Sequence, residues 1–303
     1  MAENILAAFS NQLTETVAAV GKSVVTVHGR RHPSSGILFT SDSVVTSSHA
    51  LRREEDIAIT LGPGLETTAR LAGRDPGTDL AVLRLAEPVI TQLPRWAESS
   101  GLRVGEFVLA LARTWRGNIV ASSGILSGVI DSPWRTWSGG EIDQFLRPDL
   151  SLYPGFAGGP LSNAQGEILG MTSGALHRGG ITVPSATIKR IAAELLESGQ
   201  VKRPYLGLAM QSIALPESLH AKLNLKGSEG LLIAHIESGS PAEKAGVLLG
   251  DILVELQGVH VADTEAVQDV LRKNGVGNTI EAALVRAGSL VKMTIKLEAR
   301  PTR

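Results

Sequence analysis

The spacing of apolar residues changes once, close to the start of the chain. Up to about Val20 the apolar residues recur at helical intervals and predict a short amphipathic helix. These residues are Ile5, Leu6, Phe9, Leu13 and Val17. From Ser23 onward, β-branched runs separated by turn residues predict strands at 24–27, 36–39, 44–46, 57–61 and 80–85.

The strand-and-turn pattern continues to about Val183 and then gives way to a second helix. Short strands at this spacing favour antiparallel barrels or sandwiches over alternating strand–helix–strand units. The helix is predicted over Ser185–Ser198, because it follows Pro184 and stops at Gly199.

A linker at Val201–Pro204 separates a further strand-rich stretch, 204–300, which has the size of an independent small domain. Its clearest helix is predicted over Thr264–Lys273, with Asp263 as the N-cap. The apolar positions of this helix are Val267, Val270 and Leu271.

Composition narrows the range of partners. The 303 residues, 43% hydrophobic and 19% charged, leave room for two or three soluble domains. A net charge of −1 gives no electrostatic basis for binding nucleic acid or an anionic membrane. The chain has no cysteine for disulfides or thiolate metal sites, and the histidines other than His49 lack metal-ligand spacing. We therefore expect no metal and no cofactor.

Three separated motifs carry residues suited to acyl transfer. His49 lies in the run Thr46–Ala50, Asp79 begins a strand after a turn, and Ala157 stands at the centre of Gly155–Leu161. A serine nucleophile needs an imidazole base, a carboxylate that orients it and two backbone N–H groups for the oxyanion. With serine at position 157 the third motif would read G-x-S-G-G-P-L, and the order His, Asp, Ser is that of chymotrypsin-like proteases. Each motif alone is weak evidence, whereas together they predict a serine protease without its nucleophile.

The residues around these positions resemble the HtrA/Deg family of serine proteases. The run Gly73–Leu83 is especially specific to that family. The other matching segments are Ser35–Leu38, Val44–His49, Pro154–Leu161, Gly166–Gly170 and Val183–Ser185. The resemblance covers almost the whole chain and implies a mainly β fold, with a chymotrypsin-like double β-barrel followed by a PDZ domain. It divides the chain into an N-terminal helical segment (1–22), a trypsin-like serine protease domain (23–200) and a PDZ domain (204–300).

The same resemblance implies roles for individual residues. His49 corresponds to the general base, Asp79 to its orienting carboxylate and position 157 to the nucleophile. The N–H groups of Gly155 and Ala157 correspond to the oxyanion hole. Ser151, six residues before position 157, corresponds to the base of the specificity pocket and implies a small or medium uncharged residue at the cleavage site.

The second domain resembles a PDZ domain through Tyr205–Leu208 and Ser240–Leu253. Such domains add a peptide C-terminus as a strand to a sheet edge, while backbone N–H groups hold its carboxylate. The matching positions are Tyr205, Leu206, Gly207 and Leu208 in the carboxylate loop, with Val267, Val270 and Leu271 as groove-lining candidates on the helix. Core packing is the alternative role for each of these three apolar residues.

Two functions fit these features. The first is an ATP-independent endopeptidase for protein quality control that degrades unfolded proteins, with its serine changed to alanine in this chain. The second is a natural pseudoprotease that acts as a peptide-binding or chaperone-like scaffold. The retention of His49 and Asp79 favours the first, because a pseudoenzyme has no catalytic reason to keep them.

The resemblance also implies an assembly and a compartment. Family members form homotrimers through their N-terminal region, and Phe9 is a candidate apolar contact. The family implies the bacterial periplasm or cell envelope. A native N-terminus at Met1 implies the cytoplasm instead, because residues 1–9 have no signal-peptide pattern.

Overall fold

Short antiparallel strands build most of the fold, as the β-branched runs predict. The computed structural model describes residues 4–98, 100–136, 139–176 and 180–300. They belong to two units, Met1–Val201 and Lys202–Arg303. No helix in the described ranges is long and apolar enough to cross a bilayer.

The first unit begins with helix α1 (Ile5–Gly21), followed by a closed six-stranded barrel. The N-cap of α1 is Asn4, whose Oδ1 accepts the N–H groups of Leu6 and Ala7. The strands of this barrel are β1 (Val24–Val27), β2 (Ser34–Thr40), β3 (Ser43–Ser47), β4 (Ile57–Gly62), β5 (Leu65–Asp75) and β6 (Leu80–Leu85). They are ordered β1-β2-β3-β6-β5-β4.

The second closed barrel lies in the same unit and has the order β11-β14-β13-β12-β7-β8. Between β8 and β11, β9 and β10 form a two-stranded sheet of their own. The bounds are β7 (Phe107–Arg113), β8 (Ile119–Ile130), β9 (Trp134–Arg135), β10 (Glu141–Ile142), β11 (Phe145–Asp149), β12 (Pro160–Asn163), β13 (Ile168–Ser173) and β14 (Ile181–Pro184). The predicted double β-barrel is therefore confirmed.

A shared hydrophobic cluster joins the two barrels, with helix α2 (Ser185–Ser198) packed on it. Ile37 and Val82 of the first barrel and Met171 of the second belong to this cluster, and all three are fully buried. The predicted bounds of α2 are confirmed, with Gly199 as its left-handed C-cap at φ +75°. Because burial of apolar surface is the main favourable term in folding, this cluster fixes the two barrels against each other.

The second unit is built on one sheet ordered β16-β17-β18-β20-β21, with β19 paired to β18 and a separate pair β15-β22. The strand bounds are β15 (Pro204–Tyr205), β16 (Leu208–Ala214), β17 (Glu229–Ile236), β18 (Ile252–Leu256), β19 (Val259–His260), β20 (Thr279–Arg286), β21 (Ser289–Lys296) and β22 (Glu298–Ala299). Its helices are α3 (Glu217–Leu223), α4 (Pro241–Lys244) and α5 (Thr264–Asn274). Asp263 caps α5 as predicted, through a 2.8 Å bond from the N–H of Ala266.

A buried arginine ties α1 to both barrels. The guanidinium of Arg113 donates to the carbonyl of Gly21 at the end of α1, to that of Val24 in β1 and to that of Gly117. Burial lowers the pKa of this guanidinium. The backbone N–H of Arg113 donates to the hydroxyl of Ser35, which in turn donates to the carbonyl of Gly155. One short chain of bonds therefore runs from the helix to the 155–159 turn.

Replacing Arg113 by methionine is expected to lower the free energy of unfolding of the first unit by about 2–4 kcal/mol, because three carbonyls lose their donor. All four tryptophans lie before residue 202, so urea unfolding followed by tryptophan fluorescence reports on this unit.

The matched control is Arg84→Met, which breaks a partly exposed 2.7 Å pair with Asp42. This control is expected to lose less than about 1 kcal/mol. Equal losses in the two variants would contradict the anchoring role of Arg113.

Candidate functional site

His49 and Asp79 meet where β3 and β6 lie side by side. β3 pairs with β6 in a register that sets Ser47 opposite Leu80, so the residues that follow β3 and precede β6 become neighbours. His49 lies in the single helical turn Ser48–Ala50. Its Nδ1 is 2.9 Å from both Oδ1 and Oδ2 of Asp79.

A tight turn before β6 presents Asp79. The carboxylate of Asp75 accepts the N–H of Gly77 at 3.1 Å and the hydroxyl of Thr78 at 2.7 Å, which closes the turn. Asp79 follows with φ +56°, a left-handed conformation that aspartate tolerates better than most residues. The motif Gly73–Leu83 thus has a physical basis in the position of this carboxylate.

The carboxylate of Asp79 is buried, with 3% of its side chain exposed, yet it is surrounded by donors. It accepts the backbone N–H of His49 at 2.9 Å and the hydroxyls of Ser173 and Ser47. Burial by itself raises the pKa of this carboxyl. The hydrogen bond and charge of His49, together with the two hydroxyls, more than offset that effect and bring the pKa of Asp79 below its usual range.

The turn that carries Ala157 packs directly against the end of β3. Gly158 has φ +83°, and a Cβ placed on it would lie 2.2 Å from the carbonyl oxygen of Ser35 and 3.0 Å from the backbone N of Ser47. Only glycine therefore allows this approach. Ser47 is two residues before His49, so the turn and the His–Asp pair occupy one locality.

Bonds from both barrels hold the turn. From the first barrel, the N–H of Ser35 donates to the carbonyl of Ala157 at 3.0 Å. From the second, the carbonyl of Thr172 accepts the N–H of Gly158 at 3.0 Å. The hydroxyl of Thr172 donates to the carbonyl of Phe156, and Phe156 itself is buried in the second barrel's core.

Two backbone N–H groups of this turn lack an acceptor within the described part of the chain. Among the described residues, the N–H groups of Gly155 and Ala157 donate to no carbonyl or side chain, whereas that of Phe156 between them donates to Tyr153 at 3.1 Å. Unpaired N–H donors normally find a partner, so this pair is suited to an incoming anionic oxygen. Ser151 lies exposed in the loop after β11.

A groove on the second unit, with a volume of about 210 Å³, brings together most of the predicted peptide-binding residues. Its lining includes Tyr205, Leu206, Gly207, Leu208, Val267 and Leu271. Val270 is not among the lining residues, and all three helix residues, Val267, Val270 and Leu271, are buried in the hydrophobic core of this unit. In the described part of the chain the N–H groups of Leu206 and Gly207 donate to no carbonyl.

Sequence reasoning missed the hydroxyl groups around the site. Ser173 is 94 residues from Asp79, and Ser35 is 120 residues from Gly155. No local signal could have joined either pair, because their contacts depend on how the barrels close. Ser47 is different, since its position two residues before His49 could have placed it on the same side of the chain.

Comparisons with known proteins agree with this geometry. The trypsin-like peptidase domain family matches residues 34–171, and the PDZ domain family matches residues 204–297. The serine protease Do-like HtrA of Bacillus subtilis (strain 168) is 33% identical over 88% of this chain and 63% of its own length. A protein of the same name from Lactobacillus helveticus is 28% identical over 87% of this chain and 68% of its own. The chain thus spans about two thirds of the length of these relatives.

Solved structures support the fold. The HtrA-type protease AlgW with a decapeptide superposes with a TM-score of 0.75 at 22% identity, over 96% of this chain and 99% of its own. The serine endoprotease from Yersinia pestis gives a TM-score of 0.75 at 24% identity, over 96% and 98%. The chain is therefore a trypsin-like peptidase domain followed by one PDZ domain, and its homologues are the HtrA and DegP serine proteases.

Proposed function

We propose that the chain is an ATP-independent serine endopeptidase of the HtrA/Deg type for protein quality control, with the nucleophile position occupied by Ala157. Its substrates are unfolded proteins, and its chemistry is Ser-His-Asp acyl transfer. The observation that carries the proposal is the His49 ring bonded to a buried, ionised Asp79 beside the 155–159 turn.

In this proposal each group has a defined role. His49 takes the proton of the nucleophile through Nε2 and later gives it to the leaving amine, while Asp79 orients the ring and stabilises its cation. The N–H groups of Gly155 and residue 157 stabilise the oxyanion of the tetrahedral intermediate. Ser151 brings no charge to the specificity pocket, in keeping with a small or medium uncharged residue at the cleavage site.

Ala157 removes the chemistry without removing the site. A methyl group has no lone pair to attack a carbonyl, so no acyl-enzyme forms. The contacts that hold the turn come from Ser35 and Thr172, and none uses the side chain of residue 157. The chain with Ala157 therefore binds a substrate peptide and does not cut it.

The alternative function is a natural pseudoprotease that acts as a peptide-binding or chaperone-like scaffold. Ala157 itself is the observation that favours it. This function needs the groove of the PDZ domain and a substrate cleft, whereas it makes no use of the His49–Asp79 pair.

We infer that the PDZ domain binds peptide C-termini in the groove beside β16. The peptide extends the sheet, its carboxylate takes the N–H groups of Leu206 and Gly207, and its last side chain enters between Leu208 and Leu271. In this assignment Val267 faces the peptide from α5, and Val270 supports the helix from the core.

We also propose a homotrimer formed through α1. The C-terminal half of this helix packs on the second barrel, whereas Ile5 and Leu6 are 80% and 78% exposed. Phe9 is 47% exposed, with its ring edge-on to Phe107 of β7 at a centroid distance of 5.6 Å. An exposed apolar cluster at one end of a docked helix is typical of a protein contact.

Ala157→Ser is expected to raise the turnover of an unfolded protein substrate by up to about 10⁶-fold, because it restores the nucleophile. The measurement is cleavage of a fluorescently labelled unfolded protein, with and without peptides that occupy the PDZ groove. A revertant that cleaves no faster than the starting chain under both conditions would overturn the endopeptidase proposal in favour of the scaffold.

In the double variant Ala157→Ser/His49→Ala, cleavage is expected to disappear while peptide binding by residues 204–300 is retained.

Gly207→Ala is expected to weaken binding of a C-terminal peptide at least tenfold. Its φ is +76°, and the added Cβ would lie 2.2 Å from the Cβ of Ser240, so the carboxylate loop must move. The control is Gly239→Ala, at φ +74° with nothing within 4 Å of the added Cβ, which is expected to bind normally. Fluorescence anisotropy with free-acid and amidated peptides measures the effect. Equal affinity for both peptides would contradict carboxylate capture.

The double variant Ile5→Glu/Leu6→Glu is expected to convert a trimer into a monomer, because three copies of a charged patch repel one another and cannot be buried together. Multi-angle light scattering gives the mass of each form. A starting chain that is already monomeric at micromolar concentration would refute the assembly proposal.

A further inference from the structure

Ser47 is a buried serine whose hydroxyl touches both members of the His–Asp pair. It is the last residue of β3 and is fully buried in an extended conformation, with φ −77° and ψ +126°. Its Oγ lies 2.9 Å from Nδ1 of His49 and donates to Oδ2 of Asp79. Ser173 also donates to Oδ2 of Asp79, at 2.6 Å. Among the described side chains, Ser47 is the one hydroxyl bonded to both the carboxylate and the ring.

The number of available protons limits how Ser47, His49 and Asp79 can hydrogen-bond to one another. The hydroxyl of Ser47 has one proton, and an ionised carboxylate can only accept. When the hydroxyl donates this proton in its hydrogen bond to Asp79, the lone pairs of Oγ face Nδ1. The contact between Oγ and Nδ1 is then favourable only when Nδ1 carries the ring proton. With Nδ1 bare, the hydroxyl would have to turn to the ring, and buried Asp79 would lose a donor, which is costly for a charged group.

We propose that Ser47 is a positioning residue that acts with Asp79 to hold neutral His49 in one tautomer, with the ring proton on Nδ1 and Nε2 left bare. The inference deepens the proposed function, because a bare Nε2 is what the general base needs. Ser47 itself touches neither the substrate nor the nucleophile position and acts through the ring and the carboxylate.

Besides Ser47, the acceptor that faces Nδ1 is the carboxylate of Asp79, whose Oδ1 and Oδ2 both lie 2.9 Å from it. Asp79 is the carboxylate that faces His49, and the nearby Arg30 donates from 3.5 Å to the backbone carbonyl of His49, away from the ring nitrogens. A purely structural role for Ser47 is the competing explanation. In that case Asp79 only accepts a hydrogen bond from the buried hydroxyl of Ser47, and the tautomer of His49 does not depend on Ser47.

The test compares Ser47→Thr with Ser47→Val in the chain as it stands. The two residues have nearly the same shape and suit a strand end equally, but only threonine keeps the hydroxyl. Long-range ¹H–¹⁵N spectra at about pH 9, where an ordinary histidine is neutral, give the tautomer from the shifts of Nδ1 and Nε2. The starting chain and Ser47→Thr are expected to hold the proton on Nδ1. In Ser47→Val the ratio of Nδ1–H to Nε2–H is expected to fall about tenfold.

A second control is Ser48→Ala, a buried neighbour whose hydroxyl has no bond to either member of the pair in the described structure. It is expected to leave the nitrogen shifts unchanged. Identical shifts in the threonine and valine variants, with both folded by circular dichroism, would overturn the proposal. So would a proton on Nε2 in the starting chain.

The spectra need no turnover, so they test Ser47 even where Ala157→Ser fails to restore cleavage. In an active revertant, Ser47→Val is expected to lower kcat about tenfold with KM unchanged, and Ser47→Thr to restore it. A valine revertant as fast as the threonine one would also refute the proposal.

Discussion

The buried carboxylate of Asp79 is the constraint on which the rest of the site depends. An ionised group inside a protein is tolerated only when donors surround it. Here those donors come from both barrels. Ser47 ends the first barrel's β3, the backbone of His49 follows it, and Ser173 ends the second barrel's β13. Moving the barrels apart would leave the charge under-satisfied. The electrostatics of one residue therefore reinforce the alignment that the shared hydrophobic cluster produces by packing.

The turn at 155–159 is held by backbone contacts and not by a buried charge. Its shape rests on backbone carbonyls held by Ser35 and Thr172 and on a glycine that permits close approach to β3. The methyl group at position 157 takes part in none of these hydrogen bonds. In the proposed function, a site organised in this way separates binding from bond cleavage, because the nucleophile can be lost while the N–H groups of Gly155 and residue 157 stay in place. This separation is what makes both the endopeptidase and the scaffold compatible with one fold.

Much of the architecture could be predicted from local patterns. The strands at 24–27 and 80–85 and helix α2 have the bounds that their β-branched runs, proline and glycine indicate. The short helices α3 and α4 were not predicted, because seven and four residues are too few to show a repeating apolar pattern. In addition, α3 has no buried residue. In the site, His49 and Asp79 were found through their motifs. Ser173 and Ser35 were not, since their contacts are created by barrel closure across about a hundred residues.

Arg113 has a consequence for communication within the first unit. Its guanidinium donates to the carbonyl of Gly21, the last residue of α1. Its backbone N–H donates to the hydroxyl of Ser35, which donates to the carbonyl of Gly155. Undocking the helix and reshaping the 155–159 turn thus break the same set of bonds. Two events that share bonds are thermodynamically linked, and the linkage is reciprocal. Under the proposed function, a partner bound to α1 therefore changes the affinity of the turn for the oxyanion, and the oxyanion changes the affinity of the barrels for α1 by the same factor.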